Sequence, residues 1–427
     1  MCARRLHGRS CPLSQRDNGS VVAALTAALA DAELGVRIEA AASLCELGPD
    51  AQDALPDIIR VLRESAGAWK QRRLVATLGN MGPAAKDAVP VLLDLLRRRR
   101  DGLLSFAPKE EVALAMIAPD DPEVARTIVS MLNKMSVAMS TREWAPKMGK
   151  SIVPLLLAAL DDPDESLRAN AVLALVASRH REYPTIKRLV ELLDDRCWFV
   201  RLEAASALGK IGPAAREAVP ALVARLQDRG PLVARAAGAA LANIGIDPDD
   251  ETTKARLRSA LVLAEPDVRP SVARTLLQAG DKEHAMQALR DSLASEDTEV
   301  RLAATYALHE AGDTATDDLR RAMGDTDGRV RVAAAWSLAK ADVHCDEALS
   351  IIVQTLTDWN ADARRAAASA LGRLGARAKI ALPTLERTML RDPVVWVADE
   401  AAAAIGKIEP ERAPPKTRRR DISFGLF

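Results

Sequence analysis

The sequence predicts an all-α solenoid, a fold in which about 11–12 helix pairs stack one on the next. Three observations predict it: an apolar residue that recurs at a fixed internal spacing, helical periodicity between the recurrences, and a composition suited to closely packed helices. Aromatic residues make up 3% of the chain and apolar residues 48%. Ala and Leu, which are prominent, form helices well, whereas sheets favour Val, Ile, Thr and aromatic residues. The composition therefore favours helices over strands.

The internal repeat is an apolar residue near the end of one predicted helix, followed fifteen positions later by another near the end of the next. The nine pairs with this spacing are Leu29/Leu44, Leu160/Leu175, Leu193/Leu208, Leu226/Leu241, Leu261/Leu276, Leu293/Leu308, Met323/Leu338, Leu356/Leu371 and Leu390/Ile405. From Leu160/Leu175 onward, successive pairs lie 30 to 35 residues apart. Two helices of one pair must pack in register, whereas the connection to the next pair can vary in length. The fixed inner spacing therefore predicts one helix pair per unit.

Each second helix has an apolar stripe and a defined end. In the segment RCWFVRLEAASALGKIGP, Val200, Ala204, Leu208 and Ile211 fall on one helical face. Gly then supplies a left-handed C-terminal residue and Pro prevents continuation, at Gly48-Pro49, Gly82-Pro83 and Gly212-Pro213. A second Pro, eight residues after the Gly, is expected to open or kink the next first helix; these are Pro56, Pro90, Pro220 and Pro383.

The repeated pattern P-x-L-x-x-L-x-D-x-x-x-x-V-R-x-x-A-x-x-A-L-G-x-I-G resembles HEAT repeats, particularly the short bacterial type called PBS-lyase-like. The resemblance covers residues 20–410 and implies a right-handed α-α superhelix of the armadillo-like helical class. It also implies that the Arg of each unit forms a structural ladder with turn Asp residues. The ladder candidates are Arg37, Arg168, Arg201, Arg269, Arg301, Arg331 and Arg364, with Asp161, Asp194, Asp297, Asp325, Asp358 or their neighbours as partners. Ala234 and Ala398 occupy the Arg position and predict interruptions.

Three stretches depart from the repeat. Residues 1–19 and the basic tail 411–427 are polar or basic, carry Pro without periodicity, and are predicted to be disordered. Residues 96–150 lengthen a turn and then contain a degenerate unit, so we expect an irregular seam within a solenoid that spans 20–410.

The charge and the cysteine content of the chain limit the classes of partner and the cellular compartment that we expect for it. Lys plus Arg and Asp plus Glu both number 59, so the neutral chain has no overall field to attract nucleic acid or an anionic membrane. The five cysteines form no CxxC pair, which is typical of reduced thiols. No secretory signal is recognisable, and no apolar run approaches the ~18 residues of a transmembrane helix. We therefore expect a cytoplasmic protein without membrane insertion.

Two kinds of enzyme contain HEAT-like repeats. Deoxyhypusine hydroxylase is a HEAT-like enzyme with two irons on four His-Glu pairs, whereas this chain has one such pair, His309-Glu310. The phycobilin lyases share the repeat type, but the repeat alone carries no lyase chemistry. No GxSxG, P-loop or GxGxxG motif occurs. We expect no catalytic residue, no metal and no cofactor, and a lyase or hydroxylase-like enzyme remains the less favoured alternative.

A nucleic-acid-binding solenoid is a further alternative. HEAT-like DNA glycosylases grip the duplex backbone on the concave face, and phosphate binding needs clustered cations. The candidate clusters are the basic run 97–100 and the tail segment Lys416–Arg420. An Arg run at a helix C-terminus is also favoured electrostatically without any ligand.

The best-supported function is a non-catalytic protein-binding scaffold or adaptor that presents an extended surface to a protein or peptide partner. Second helices line the concave surface in HEAT proteins, and their residues richest in aromatic and cationic groups are Arg274, Tyr306, Trp336, Lys340 and Arg373. Aromatic residues and Arg are enriched at interface anchors. The alternative is that Tyr306 and Trp336 pack between helices. Trp69, Trp198, Trp359 and Trp396 are expected to cover turns within the repeats, or else to form an aromatic rim for a peptide.

Overall fold

The computed structural model describes residues 16–65, 71–98, 109–178 and 183–412, and these residues form helices joined by turns. The chain divides into two compact units, Met1–Ala207 and Leu208–Phe427. Within each unit the helices stack in pairs, which confirms the predicted all-α solenoid. None of the described helices combines the length and the apolar character needed to cross a bilayer.

The first unit contains regular pairs on both sides of an irregular segment. Its helices are α1 (Arg16–Ala28) with α2 (Leu34–Glu46), α3 (Leu55–Glu64) with α4 (Gln71–Asn80), α5 (Val89–Arg98) with α6 (Glu110–Ile117), then α7 (Pro122–Ser130), α8 (Met135–Met139) and α9 (Thr141–Trp144), α10 (Val153–Ala159) with α11 (Glu165–Ala177), and α12 (Tyr183–Glu191). The boundary between the units falls within α13 (Trp198–Ile211).

The second unit is a regular succession of pairs. They are α14 (Val219–Arg225) with α15 (Pro231–Ile244), α16 (Glu251–Leu263) with α17 (Arg269–Gln278), α18 (Lys282–Leu293) with α19 (Thr298–Leu308), α20 (Thr316–Ala322) with α21 (Gly328–Lys340), α22 (Cys345–Thr355) with α23 (Ala361–Leu374), and α24 (Leu382–Arg391) with α25 (Val395–Ile408). The second helices α15, α17, α19, α21, α23 and α25 pack against each other in that order and form one layer.

The fifteen-residue spacing marks the core of most pairs. Leu241, Leu276, Leu308 and Leu371 are completely buried at the ends of their second helices. Leu390 is an exception, because 75% of its surface is exposed. It lies in α24, and no described helix pair follows to cover it. The sequence spacing therefore predicts burial correctly at most of its positions, including Ile405 of the last described pair, but not at Leu390.

The Gly-Pro signals have the conformations that the sequence predicts. Gly48, Gly82 and Gly212 have φ values of +71°, +59° and +73°, which glycine adopts without the strain caused by a Cβ atom. A 3-10 helix then leads into the next pair, as at Gly212–Ala218. The second prolines lie within the first two positions of α3, α5, α14 and α24. They therefore open these helices and do not kink them, because an N-terminal Pro needs no backbone N–H partner.

The described part of the irregular stretch 96–150 consists of short helices around one tryptophan. Trp144 ends the four-residue helix α9, is completely buried, and donates its indole N–H to the carbonyl of Val137 at 3.2 Å. Helix α9 contacts both α6 and α11 and so occupies the position of a second helix. Residues 99–108 lie outside the described ranges. The first helix begins at Arg16, within the segment 1–19 that the sequence predicts to be disordered, and residues 413–427 lie outside the description.

The arginine ladder is present, with one contact pattern repeated along the chain. Arg301 donates from Nη1 to the carbonyls of Ser295 and Glu296 in its own turn, both at 3.0 Å. Its Nε and Nη2 donate to the two carboxylate oxygens of Asp325 in the next turn, at 2.8 and 3.0 Å. The same two own-turn carbonyl contacts are made by Arg37, Arg168, Arg201, Arg331 and Arg364. Each of these arginines therefore stabilises the turn before its own helix.

The carboxylate partners correct the predicted set in part. Asp325 and Asp358 are confirmed, and Arg37, Arg168 and Arg364 bond Glu64, Asp195 and Asp392. Two candidates were wrong: Asp161 bonds Arg188, and Asp297 accepts from the backbone of Glu299 and so caps α19. Arg269 departs from the pattern, because its Nε donates to the carbonyl of Ala264.

Candidate partner-binding surface

The five predicted surface residues lie on four neighbouring second helices. Arg274 is on α17, Tyr306 on α19, Trp336 and Lys340 on α21, and Arg373 on α23. These helices pack against each other in this order, with their buried faces lined by Ala and Leu. Small residues allow the helices to approach closely: a Cβ atom added to Gly372 of α23 would lie 3.0 Å from the Cα of Ala404 on α25. The layer therefore holds the exposed side chains on a closely packed support.

Trp336 is the centre of a cluster that joins three of these helices. The guanidinium carbon of Arg373 lies 4.6 Å from the Trp336 ring centroid, and Nζ of Lys340 lies 5.0 Å from it. The ring of His309, at the end of α19, is 4.9 Å from the Trp336 ring. Both cations are within the distance at which an aromatic face attracts positive charge. We call Trp336, Lys340, Arg373 and His309 the Trp336 cluster.

The indole of Trp336 is half-buried, and this packing supports the alternative interpretation of the residue in part. Its ring rests on the core, yet its Nε1 is buried without a hydrogen-bond acceptor among the described residues. A buried donor without an acceptor costs about 1–3 kcal/mol and is uncommon in native cores. Such a cost is tolerated more often where a side chain has a role besides packing.

The Trp336 cluster is positively charged. His309 is held mainly neutral, because burial and then the nearby charge of Lys340 lower its pKa. Its Nε2 lies 3.1 Å from Nζ of Lys340, so a neutral imidazole can accept from the ammonium. Lys340 and Arg373 supply the charge on exposed side chains. An anionic group at this position would relieve the repulsion between the two cations.

Arg274 belongs to a second group, next to the cluster along α19. It bonds Glu310 through Nη2 at 2.6 Å, and Gln278 donates to the other carboxylate oxygen of Glu310 at 2.9 Å. Glu310 directly follows His309, so the two groups meet at the C-terminal end of α19. Because Arg274 is already neutralised by Glu310, it contributes less free charge to the surface than the sequence suggests.

The remaining aromatic residues are distributed along the edges of the helices. Tyr306 is 47% exposed and therefore does not pack between helices. Trp359 is 89% exposed and therefore covers no turn, whereas Trp198 and Trp396 are 48% and 44% exposed and their packing on turns stays a prediction. Trp396 lies 5.8 Å from the guanidinium of Arg365. Trp69 lies outside the described residues.

Sequence reasoning missed the contribution of His309. It treated His309-Glu310 only as a weak metal-binding pair, whereas His309 packs on Trp336 and Glu310 bonds Arg274. The sequence could have indicated this contribution only through position. His309 directly follows the repeat residue Leu308, and Lys340 and Arg373 each lie two residues after the repeat leucine of their own helix. Among the described residues, no group of three metal-ligating side chains converges.

Two arginines of the basic run 97–100 form ion pairs. Arg97 donates to Glu123 at 2.8 Å and Arg98 to Asp94 at 2.8 Å. Arg99, Arg100 and the tail segment Lys416–Arg420 lie outside the described residues. The described cations of the run therefore have carboxylate partners within the protein.

Comparisons with known proteins agree with this architecture. A family model of HEAT repeats matches residues 152–242 and 286–371. A search of curated proteins found no match. The solved structure of Kap121p is similar, with a TM-score of 0.56 and 14% identity over 92% of this chain and 49% of that chain. This chain thus spans about half the length of Kap121p.

Two other solved structures are also similar. A structure of Kap95p with RanGDP has a TM-score of 0.50 and 14% identity, over 91% of this chain and 67% of that chain. The complex of CpcE and CpcF of phycocyanin lyase from Nostoc sp. PCC7120 has 23% identity over 60% of this chain and 94% of that chain, with a TM-score of 0.35. At these identities the likenesses to Kap121p and Kap95p concern the fold alone. Since the repeat geometry, the arginine ladder and the family match agree, residues 152–242 and 286–371 are HEAT repeats.

Proposed function

We propose that this protein is a non-catalytic scaffold or adaptor that binds a protein or peptide partner on the layer formed by α17, α19, α21 and α23. The observation that carries the proposal is the Trp336 cluster, where two exposed cations lie against one half-buried indole. Aromatic and Arg side chains are the residue types that dominate binding energy at protein interfaces. The cluster is held by the packed helix layer and is therefore preorganised for binding.

The charge of the cluster selects the chemistry of the partner. Arg373 can form two parallel hydrogen bonds with a carboxylate, and Lys340 supplies a second cation beside it. The indole offers an apolar face of the kind that side chains of a bound segment cover. A partner segment with an acidic residue next to an apolar one fits this arrangement best.

The fold offers support by analogy. Kap121p, a karyopherin with a similar fold, has been solved bound to Nup53p, to Pho4p and to the extreme C-terminus of Cdc14p. Helical-repeat solenoids present extended surfaces of this kind. Because function depends on the site and not on the fold, the analogy supports binding in general and names no partner for this chain.

The proposal includes a cytoplasmic location, which the state of the cysteines supports. Cys45, Cys197 and Cys345 are free thiols, as expected in a reducing compartment. Burial raises the pKa of Cys45 to about 12, so this thiol is protected from oxidation in the folded protein.

The test is a comparative pull-down with quantitative mass spectrometry from cells that express the natural partners. The bait variants are Trp336→Ala and Arg373→Ala, and the matched control is Trp359→Ala, which removes an 89% exposed indole elsewhere. We expect both cluster variants to lose a shared set of proteins that the wild type and the control retain. Losing Arg373 from a central charged contact typically weakens binding at least ~30-fold, equivalent to about 2 kcal/mol.

Four outcomes would contradict the proposal. The first is equal capture of the same proteins by all baits. The second is that a cluster variant loses captured proteins only because it is unfolded, which circular dichroism detects. The third is an alternative function: binding of plain duplex DNA at about 50 mM salt that weakens steeply as salt rises would indicate a nucleic-acid solenoid. The fourth is stoichiometric iron in the purified protein, which would favour a hydroxylase-like enzyme.

A further inference from the structure

The arginine ladder follows a spacing rule. Each carboxylate acceptor lies six residues before the ladder position of the next helix pair, as Asp325 lies before Arg331 and Asp358 before Arg364. The backbone carbonyl of the same residue accepts from that next arginine. One turn residue therefore joins two successive arginines, and the rule identifies which residues each rung requires.

Two successive rungs are missing between α15 and α19. Ala234 occupies the ladder position of α15, and Leu263 stands six residues before Arg269, where the acceptor belongs. In the following rung the arginine is present, but Ser295 stands at the acceptor position. Helix α17 also differs at its start, because it begins at the ladder position itself, Arg269. Pro270 has no backbone N–H to donate and therefore fits only the first turn of a helix, so α17 does not begin earlier.

An open groove lies at this gap in the ladder. It has a volume of about 960 Å³ and is lined by three consecutive turns, at residues 226–229 with 231, 263–267 and 295–297, together with Ala234 and Val300. Two grooves beside intact rungs are smaller, about 240 Å³ next to Asp325 and about 570 Å³ next to Arg168. The larger groove is thus found where Ala234 places no guanidinium.

The walls of the groove combine negative charge with exposed apolar surface. Glu265, Asp267 and Glu296 line it together with one cation, Arg229, and the side chains of these three acids form no hydrogen bond or ion pair within the described residues. Leu263 is 67% exposed, and its neighbour Val262 is 77% exposed. A group that satisfies both features carries a positive charge next to an aliphatic side chain.

We propose that this groove binds an arginine of an extended peptide segment from a partner protein. The bound guanidinium takes the place of the missing ladder arginine, where it donates to the Arg229 carbonyl in the turn before Ala234 and to a wall carboxylate. Arginine suits this role better than lysine, because its planar group has five donors and can bond a carbonyl and a carboxylate together. An aliphatic neighbour of that arginine packs on Leu263 and Val262. This surface is separate from the Trp336 cluster and does not depend on it.

The test uses the full chain and two fluorescein-labelled peptides, Gly-Leu-Arg-Leu-Gly and the same peptide with neutral citrulline in place of arginine. Binding is measured by fluorescence anisotropy. We expect saturable binding of the arginine peptide and at least about tenfold weaker binding of the citrulline peptide. Equal binding of the two peptides, or no anisotropy change up to millimolar protein, would overturn the proposal.

The decisive variant is Ala234→Arg, which supplies the ladder arginine from the chain itself and should reduce arginine-peptide affinity at least about tenfold. Ala398→Arg is the matched control, since it makes the same change at the other interrupted ladder position. The double variant Glu265→Gln with Asp267→Asn removes two negative charges from the groove without a change of side-chain size. It replaces Ala234→Arg as the test if Ala234→Arg does not fold. Unchanged binding in a folded groove variant would refute the site. Trp336→Ala should leave peptide binding unchanged, which separates this site from the proposed function.

Discussion

Replacement of Arg364 by Ala tests how much one rung of the ladder stabilises the stack. Arg364 donates to both carboxylate oxygens of Asp392 at 2.7 and 3.0 Å, and to the carbonyls of Asp358 and Trp359 at 2.9 and 3.2 Å. The side chains of Arg364 and Asp392 are only 11% and 4% exposed. The substitution therefore leaves a buried carboxylate without its cation.

The expected cost follows from that burial. Breaking a buried ion pair by removing one partner typically costs about 3–5 kcal/mol, because the remaining charge is uncompensated. Asp392 keeps one hydrogen bond from the backbone N–H of Val394 at 2.9 Å, which places the estimate near the lower limit of about 3 kcal/mol. Arg320→Ala is the control, because Arg320 and Glu347 form an exposed pair at 3.7 Å that is worth at most about 1 kcal/mol.

The assay should resolve individual repeats, since a solenoid can unfold in parts. Native-state hydrogen exchange reports the free energy of opening for amides of α23 and α25. A loss below about 1 kcal/mol in both helices would refute the assignment of the rung as a buried, structurally important pair.

The pH dependence of this effect has a definite sign. Hydrogen bonds from Arg364 lower the pKa of Asp392, so this pair stabilises the fold above the ordinary aspartate pKa of about 3.9. That stabilisation is lost as pH falls through the lowered value. The difference between wild type and Arg364→Ala should therefore shrink in acid; a difference that stays constant would contradict the ion-pair account.

The remaining predictions concern the core and one thiol. Leu208→Ala should cost about 2–5 kcal/mol in urea unfolding of the second unit, whereas the exposed Leu390→Ala should cost about 1 kcal/mol or less; equal losses would mean that the register is misplaced. Gly372→Ala should lower stability by about 1–3 kcal/mol despite the better helix propensity of Ala, because its Cβ would meet Ala404, and a gain in stability would contradict the close approach. Cys45, whose pKa is raised by burial to about 12, should resist a maleimide at pH 8 in the native protein and react after unfolding. Rapid native modification would refute its burial.

Local signals in the sequence were sufficient to predict the repeat. The fifteen-residue spacing, the Gly-Pro ends and the Val-Arg pairs each depend on contacts within one helix pair or on the conformation of single residues. For that reason Leu208 and Leu308 are buried and Gly48 has a positive φ as predicted. Leu390 shows the limit, since its burial depends on whether another pair follows.

Contacts between pairs were harder to predict. The acceptor of each ladder arginine is set by the turn of the next pair, so choosing the nearest turn Asp selected Asp297, which caps its own helix. The Trp336 cluster likewise depends on which side chains meet across three helices. His309 has no chemical signal of its own in the sequence and becomes informative only beside the ring of Trp336.

The central claim is that the layer of second helices binds the partner. The most direct measurement is hydrogen–deuterium exchange of the full chain with and without a captured partner protein. We expect added protection in the C-terminal halves of α19, α21 and α23, around Tyr306, Trp336 and Arg373. Protection confined to the first helices α18, α20 and α22, with none in these segments, would contradict the claim.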